Sequence, residues 1–198
     1  MKFNCSIKSI RNIVGIWIIV TGSIPTMCAQ AADVTVCGTE AQEKQKEISL
    51  RATAMEVLRT IRLKDSEAFA GHIYKDGMGI GGDVAFTPLS EIKAQFRRRQ
   101  GIYCLLFSTP CLASAKFPND PADGVDLSKW KISYSEWLIL NHPSKVEIEM
   151  IDTGGVEICG GDVYVRGRRK LKSAPDSLEL GFTYMNGKWA VSHIPVFP

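Results

Sequence analysis

The sequence contains no C-x-x-C pair, and its three histidines, His72, His142 and His193, lie far apart. Structural zinc sites are assembled from closely spaced cysteine or histidine pairs, so a zinc-built domain is excluded and no metal or other cofactor is expected. No internal repeat is present, which excludes solenoids and propellers. A long hydrophobic run is missing too. The most apolar stretch runs only from Ile13 to Val20. A membrane-spanning helix needs roughly 20 residues of that kind. Charge of one sign is also lacking once the start of the chain is set aside. Residues 1–31 hold Lys2, Lys8 and Arg11 and no Asp or Glu, which leaves 21 residues of each sign and a formal net charge of zero beyond them. A nucleic-acid binder would need a basic excess, so none is expected as a partner.

What the start of the chain does have is order. A positive stretch precedes the apolar run, and Ala29-Gln30-Ala31 places small residues at −3 and −1 of a cleavage point. This is the layout of a secretory signal peptide over residues 1–31, with a mature chain from Ala32 that is periplasmic or secreted and has no stable membrane insertion after processing. A retained anchor, or lipidation at Cys28, are the alternatives. Four cysteines then remain, Cys37, Cys104, Cys111 and Cys159. An even number in an exported chain suggests two disulfides, against the alternative of four buried thiols. Ser108-Thr109-Pro110 can turn the chain back on itself, which favours Cys104–Cys111. Cys37–Cys159 follows by elimination, and would tie the chain ahead of the first helix to the sheet.

Residues 32–198 read as a single domain. Thr39-Glu40-Ala41-Gln42 is a capping box. Behind it Ile48, Ala52, Met55, Leu58 and Ile61 recur at helical spacing, predicting a long helix to about Leu63 with these residues as its core face. Asp65 or Ser66 caps a second, short helix carrying Phe69 and Ile73. Thr87 is the expected N-cap of a third helix with Pro88 at its first position, ending in Arg97-Arg98-Arg99 before Gly101. Ile102 to Phe107 reads as a buried strand. Ser133 to Leu140 is open between helix and strand.

In the last third, Val146 to Ile151 alternates apolar and acidic residues, and Val156 to Lys172 reads as a second extended run. Leu178 to Tyr184 and Lys188 to Ile194 form a hairpin across Met185-Asn186-Gly187. Trp189 should pack between this hairpin and the helices. The expected class is therefore α+β: N-terminal helices packed on a curved antiparallel sheet in a cone-like arrangement.

This element order, with the closing segment Asn186-Gly187-Lys188-Trp189-Ala190-Val191-Ser192-His193, resembles the NTF2-like (SnoaL-like) cone fold, members of which often end on an N-G-x-W strand. The resemblance spans most of residues 40–198. It implies a cone-shaped pocket, in a family of isomerases, dehydratases and noncatalytic binding domains. Enzymes of the family use Asp, His or Tyr groups lining the cone. No matching catalytic set aligns here, so no catalytic residue is carried over.

Two motifs invite chemistry. Gly77 to Gly82, GMGIGG, matches the G-x-G-x-x-G of dinucleotide sites, but a helix precedes it and a strand-like run follows, the reverse of what phosphate binding needs. The glycines are expected in a loop or hairpin. Asp152-Thr153-Gly154 matches the aspartic protease triplet, yet that chemistry needs two carboxylates sharing a proton, and the chain has one such triplet. Asp-Thr-Gly-Gly is the expected composition of a turn. A Ser–His or Cys–His pair meeting only in space stays open. Finally, Arg166, Arg168, Lys170 and Lys172 share one strand parity and so one face, with Arg169 as the exception. They are the candidate contact for an acidic protein partner. The expected function is a noncatalytic accessory or binding protein of the cell envelope, one that neutralises or inhibits a partner. The alternative is a small-molecule enzyme, of isomerase or hydrolase type, with a cone-shaped pocket.

Overall fold

The computed structural model describes residues 38–81, 85–114, 130–155 and 158–195. In chain order these form helices α1 (Glu40–Arg62) and α2 (Ser66–Ala70), strands β1 (Gly77–Ile80) and β2 (Ala85–Pro88), and helices α3 (Leu89–Arg98), α4 (Ile102–Phe107), α5 (Thr109–Leu112) and α6 (Tyr134–Asn141). Strands β3 (Lys145–Gly155), β4 (Ile158–Arg166), β5 (Ser177–Met185) and β6 (Lys188–Ile194) complete the chain. The fold is α+β. Its six strands lie in the order β2-β1-β6-β5-β4-β3. The sheet is mixed, not wholly antiparallel, because β1 runs parallel to β6 through Gly79↔His193 and Ile80↔Ile194. Among the described residues no helix is long and apolar enough to cross a membrane.

The capping box starts α1 as the sequence predicts. The Gln42 amide donates to Thr39 Oγ1 at 3.4 Å, and Gln42 Oε1 accepts from the Thr39 amide at 2.8 Å. The helix turns only part of the expected face inward, at Leu58 and Ile61. Leu50, Ala54, Val57, Leu58 and Ile61 are buried, whereas Ile48 and Met55 are 55% and 49% exposed. Two overlapping apolar stripes run along this helix, and contact with the sheet selects one of them. The selected stripe meets the last hairpin at Trp189, which is buried and donates from Nε1 to Lys46 O at 3.1 Å and Ser49 Oγ at 3.0 Å.

The run Ile102 to Phe107 is a helix, not a strand. Ile102, Leu105, Leu106 and Phe107 are all fully buried. An apolar run buried on every side carries no periodicity by which the two forms could be told apart. Its start is fixed by Gly101 at φ 57° and by the Ile102 amide donating to Gln95 Oε1 at 2.9 Å. Phe69, Phe96, Tyr103 and Phe107 then pack in edge-to-face and tilted pairs, with ring centroids from 5.3 Å (Tyr103–Phe107) to 6.4 Å (Phe96–Tyr103) apart. Such pairings set the positive edge of one ring against the negative face of the next.

Smaller differences follow from backbone geometry. Thr87 lies within β2, and Pro88 is the N-cap of α3 without a side-chain cap. Ser133 to Leu140 resolves as helix α6, capped by Ser133 accepting from the Glu136 amide. Gly77 to Ile80 is a strand paired antiparallel with β2, in line with the hairpin expected there, and Gly82 lies outside the described residues. Asp152-Thr153-Gly154 falls within the irregular end of β3, where the register slips between Ile151 and Gly155, and not in the turn itself. The β5–β6 turn has Asn186 at φ 52° and Gly187 at φ 77°. Positive φ at both central residues is what an Asn-Gly hairpin turn requires.

Candidate functional site

The predicted disulfide Cys104–Cys111 is present, joining α4 to α5 with Cα atoms 5.2 Å apart. Cys159 is also a half-cystine, buried in β4. Its expected partner Cys37 lies outside the described residues, as do the segment 1–31 and its cleavage point.

The four predicted basic residues do not share a strand face. Strand β4 ends at Arg166, and residues 167–176 form a loop of bends and turns. The parity argument fails for Arg168, Lys170 and Lys172, yet the loop brings most of the set together by another route. Arg166, Arg168, Arg169 and Lys170 line a cleft of about 400 Å³ with Glu147, Tyr164, Asp176 and Ser177. Arg169, expected to be the exception, belongs to it. Lys172 does not line it.

The loop is fastened to the body of the protein. Arg169 N donates to the buried Asn141 Oδ1 at 2.7 Å. Trp137 Nε1 donates to Pro175 O at 3.0 Å and Lys131 N to Ser173 O at 2.8 Å, while Gly167 N to Asp176 O at 2.9 Å closes the loop on itself. A cationic loop held this way presents its charges with little ordering still to be done on binding. Two of the cations are partly satisfied already: Arg166 pairs with Glu147 at 3.2 Å, and Lys170 lies 3.8 Å from Asp176. The hydrogen bond from Lys145, with Arg166 nearby, holds the Glu147 carboxyl below its ordinary range.

A second cluster occupies the sheet face turned away from α1. Leu50 of α1 packs against Gly161. Successive residues of a strand face opposite ways, so Asp162 and Tyr164 lie on the other side. Register then builds a row across the strands: Glu149 opposite Asp162, Asp162 opposite Gly181, and Gly181 opposite His193. Gly181 carries no side chain, and the His193 ring crosses it to bring Nε2 within 3.5 Å of Asp162 Oδ1. Asp162 is only 9% exposed, and that oxygen has no good hydrogen bond. The 3.5 Å separation is close enough for charge attraction. It is long for a hydrogen bond. Burial raises the Asp162 carboxyl, His193 opposes the rise, and Glu149 adds to it.

One step along the strands, Tyr164 faces Glu179. Burial, with Asp162 and Glu149 close by, pushes the Glu179 carboxyl up to about 7, and its hydrogen bond with Tyr164 works against that. Burial raises the Tyr164 phenol as well. Four carboxyls, Glu147, Glu149, Asp162 and Glu179, thus share a face with one imidazole, and Arg166 pairs with the first of them. None of these groups carries a sequence signal, because they meet through strand register and not through spacing along the chain. Among the described residues, no group of three or more His, Cys, Asp or Glu is arranged to hold a metal ion.

No family model matches the sequence. No curated protein matches it either. Two solved structures are similar in outline. One is a protein of unknown function with a cystatin-like fold from Nostoc punctiforme, 15% identical, covering 81% of this chain and 94% of its own, with a TM-score of 0.39. The other is a protein of unknown function from Mycobacterium tuberculosis, 11% identical, covering 81% and 76%, also at a TM-score of 0.39.

Proposed function

We propose that this chain is an exported binding protein of the cell envelope that takes hold of an acidic surface on a protein partner through its basic cleft. The observation that carries this reading is the convergence of Arg166, Arg168, Arg169 and Lys170 on one cleft, on a loop clasped by Asn141, Trp137 and Lys131. Export is supported by the charged, apolar and small-residue order of residues 1–31. A chain with no net charge beyond that segment repels neither sign at a distance, so a local basic cleft selects by complementarity at contact. Arginine suits such a site because its planar fork grips a carboxylate with two bonds.

The test uses an oligoglutamate peptide and the chain from Ala32, titrated at low and moderate salt. The triple change Arg168→Gln, Arg169→Gln, Lys170→Gln should weaken binding by about 1–3 kcal/mol in sum, and added salt should weaken the wild type in the same direction. Binding that ignores both the substitutions and the salt removes the cleft from the function.

A further inference from the structure

Ser192 is the residue left over where β5 and β6 fall out of step. Gly181 pairs with His193 and Phe182 with Val191, so nothing stands opposite Ser192. Bulges of this kind re-aim a side chain and recur beside active sites. Here Ser192 Oγ lies 3.3 Å from His193 Nδ1. The other ring nitrogen faces the buried, poorly partnered Asp162 Oδ1. With the imidazole proton on Nε2, toward that acceptor, Nδ1 is left to accept from the Ser192 hydroxyl. The order is nucleophile, base and orienting acid: Ser192 and His193 are neighbours along β6, and register across β5 brings His193 to Asp162 on β4. The separations are loose, as catalytic hydrogen bonds often are before substrate arrives.

We propose that Ser192, His193 and Asp162 form an acyl-transfer relay that hydrolyses carboxylic esters, a function independent of the basic cleft. As the Ser192 Oγ–carbon bond forms, its proton passes to His193 Nδ1 and the carbonyl electron pair moves onto oxygen. When that pair returns, the ester C–O bond breaks and Nδ1–H protonates the departing alkoxide. Water then attacks the acyl carbon, giving its proton to Nδ1, and Ser192 leaves with that proton restored. The sum is ester plus water giving acid plus alcohol. Glu149 and Glu179 share the face with Tyr164. Esters without negative charge are therefore favoured over anionic ones. Asp162 acts through His193 and is a positioning residue.

The experiment treats the chain from Ala32 with a fluorophosphonate and maps the adduct by mass spectrometry, with 4-nitrophenyl acetate turnover followed in parallel. The adduct is expected on Ser192. Ser192→Ala should abolish it, and His193→Gln should slow both labelling and turnover about 100-fold. Asp162→Asn removes a carboxylate beside the ring, so the pH midpoint of labelling should shift downward, with Glu147, Glu149, Glu179, Tyr164 and Arg166 the other charged or titrating groups on that face. The acetate should outpace the anionic succinate half-ester by about tenfold. No adduct in the wild type, an adduct elsewhere, labelling untouched by His193→Gln, or turnover equal in Ser192→Ala each overturns the relay. An unshifted pH midpoint removes Asp162 from it, and equal rates on the two esters remove the charge preference.

Discussion

The imidazole of His193 on β6 occupies the place of the side chain that Gly181 on β5 lacks: a Cβ on Gly181 would meet His193 Cε1 at 1.7 Å and Nδ1 at 1.9 Å. That glycine is what lets β6 reach over β5 to Asp162 on β4. The ring is the mobile party in this contact, since it is partly exposed while the strands are paired on both sides. Gly181→Ala should therefore swing His193 outward at a stability cost of about 1 kcal/mol or less, not break the sheet. Nuclear Overhauser contacts from the His193 ring to Asp162 should vanish while the strand contacts persist. A ring still over Asp162, together with a large loss of stability, would show that the backbone had given way instead.

The pH dependence of stability follows from Glu179. In the unfolded chain a glutamate titrates near about 4.3. In the folded protein burial, with Asp162 and Glu149 close by, lifts Glu179 to about 7. Below the lower value the group is protonated in both states and contributes nothing. Between the two, the unfolded chain ionises first and so gains on the folded one, and the penalty is complete above the upper value. Asp162, also raised by burial, acts in the same direction. Urea midpoints should thus fall from pH 5 to pH 8, and Glu179→Gln should flatten part of that slope. A wild-type midpoint that climbs over this interval would contradict the assignment.

Elements with a local cause could be read directly from the chain. The α1 start follows from Thr39 and Gln42, and the last hairpin from Asn186-Gly187, whose positive φ angles few other pairs adopt. The burial of Trp189 followed from its place on that hairpin. Elements whose form depends on partners could not. Ile102 to Phe107 is apolar on all sides and accepts either helix or strand, and α1 offers two apolar stripes of which the sheet covers one. The site shows the same division. The basic residues were visible as a cluster in sequence, but the loop that groups them replaces the strand parity that suggested it. Ser192 and His193 stand side by side in the sequence, but their meeting with Asp162 and Glu179 carries no spacing signal, because the pairing of three strands and one bulge decides it.

The bridge Cys104–Cys111 closes a short loop, with a sequence separation of 7. The loop-entropy model gives such a closure about 2.5 kcal/mol, before any native strain is subtracted. It joins α4, which is embedded in the aromatic cluster, to α5. Loss of the bridge should therefore loosen α5 more than α4. Cys104→Ser with Cys111→Ser should lower the denaturation midpoint by an amount in that range. Hydrogen exchange should accelerate in residues 109–112 before it does in residues 102–107. Uniform acceleration across both helices would mean that the bridge holds the cluster itself.

Asn141 connects the core to the basic cleft. It is buried at the end of α6, and its Oδ1 accepts from Arg169 N, while its Nδ2 has no partner. Its contribution therefore runs through its bond to Arg169 N, one of the bonds that tie the loop to the body of the protein. Asn141→Ala removes that acceptor and strands the Arg169 amide, at a cost of about 1–3 kcal/mol. Stability and binding should fall together, because a loop released at Arg169 must be reordered whenever an anion is bound, at about 1 kcal/mol for each side chain immobilised. Asn141→Asp keeps the acceptor and should retain more of the stability than Asn141→Ala. It also introduces a negative charge beneath the cleft, so oligoglutamate affinity should drop further than stability does. If oligoglutamate affinity in Asn141→Ala matched the wild type while stability fell, the cleft would not depend on its anchoring, and the four cations would be acting as independent surface charges.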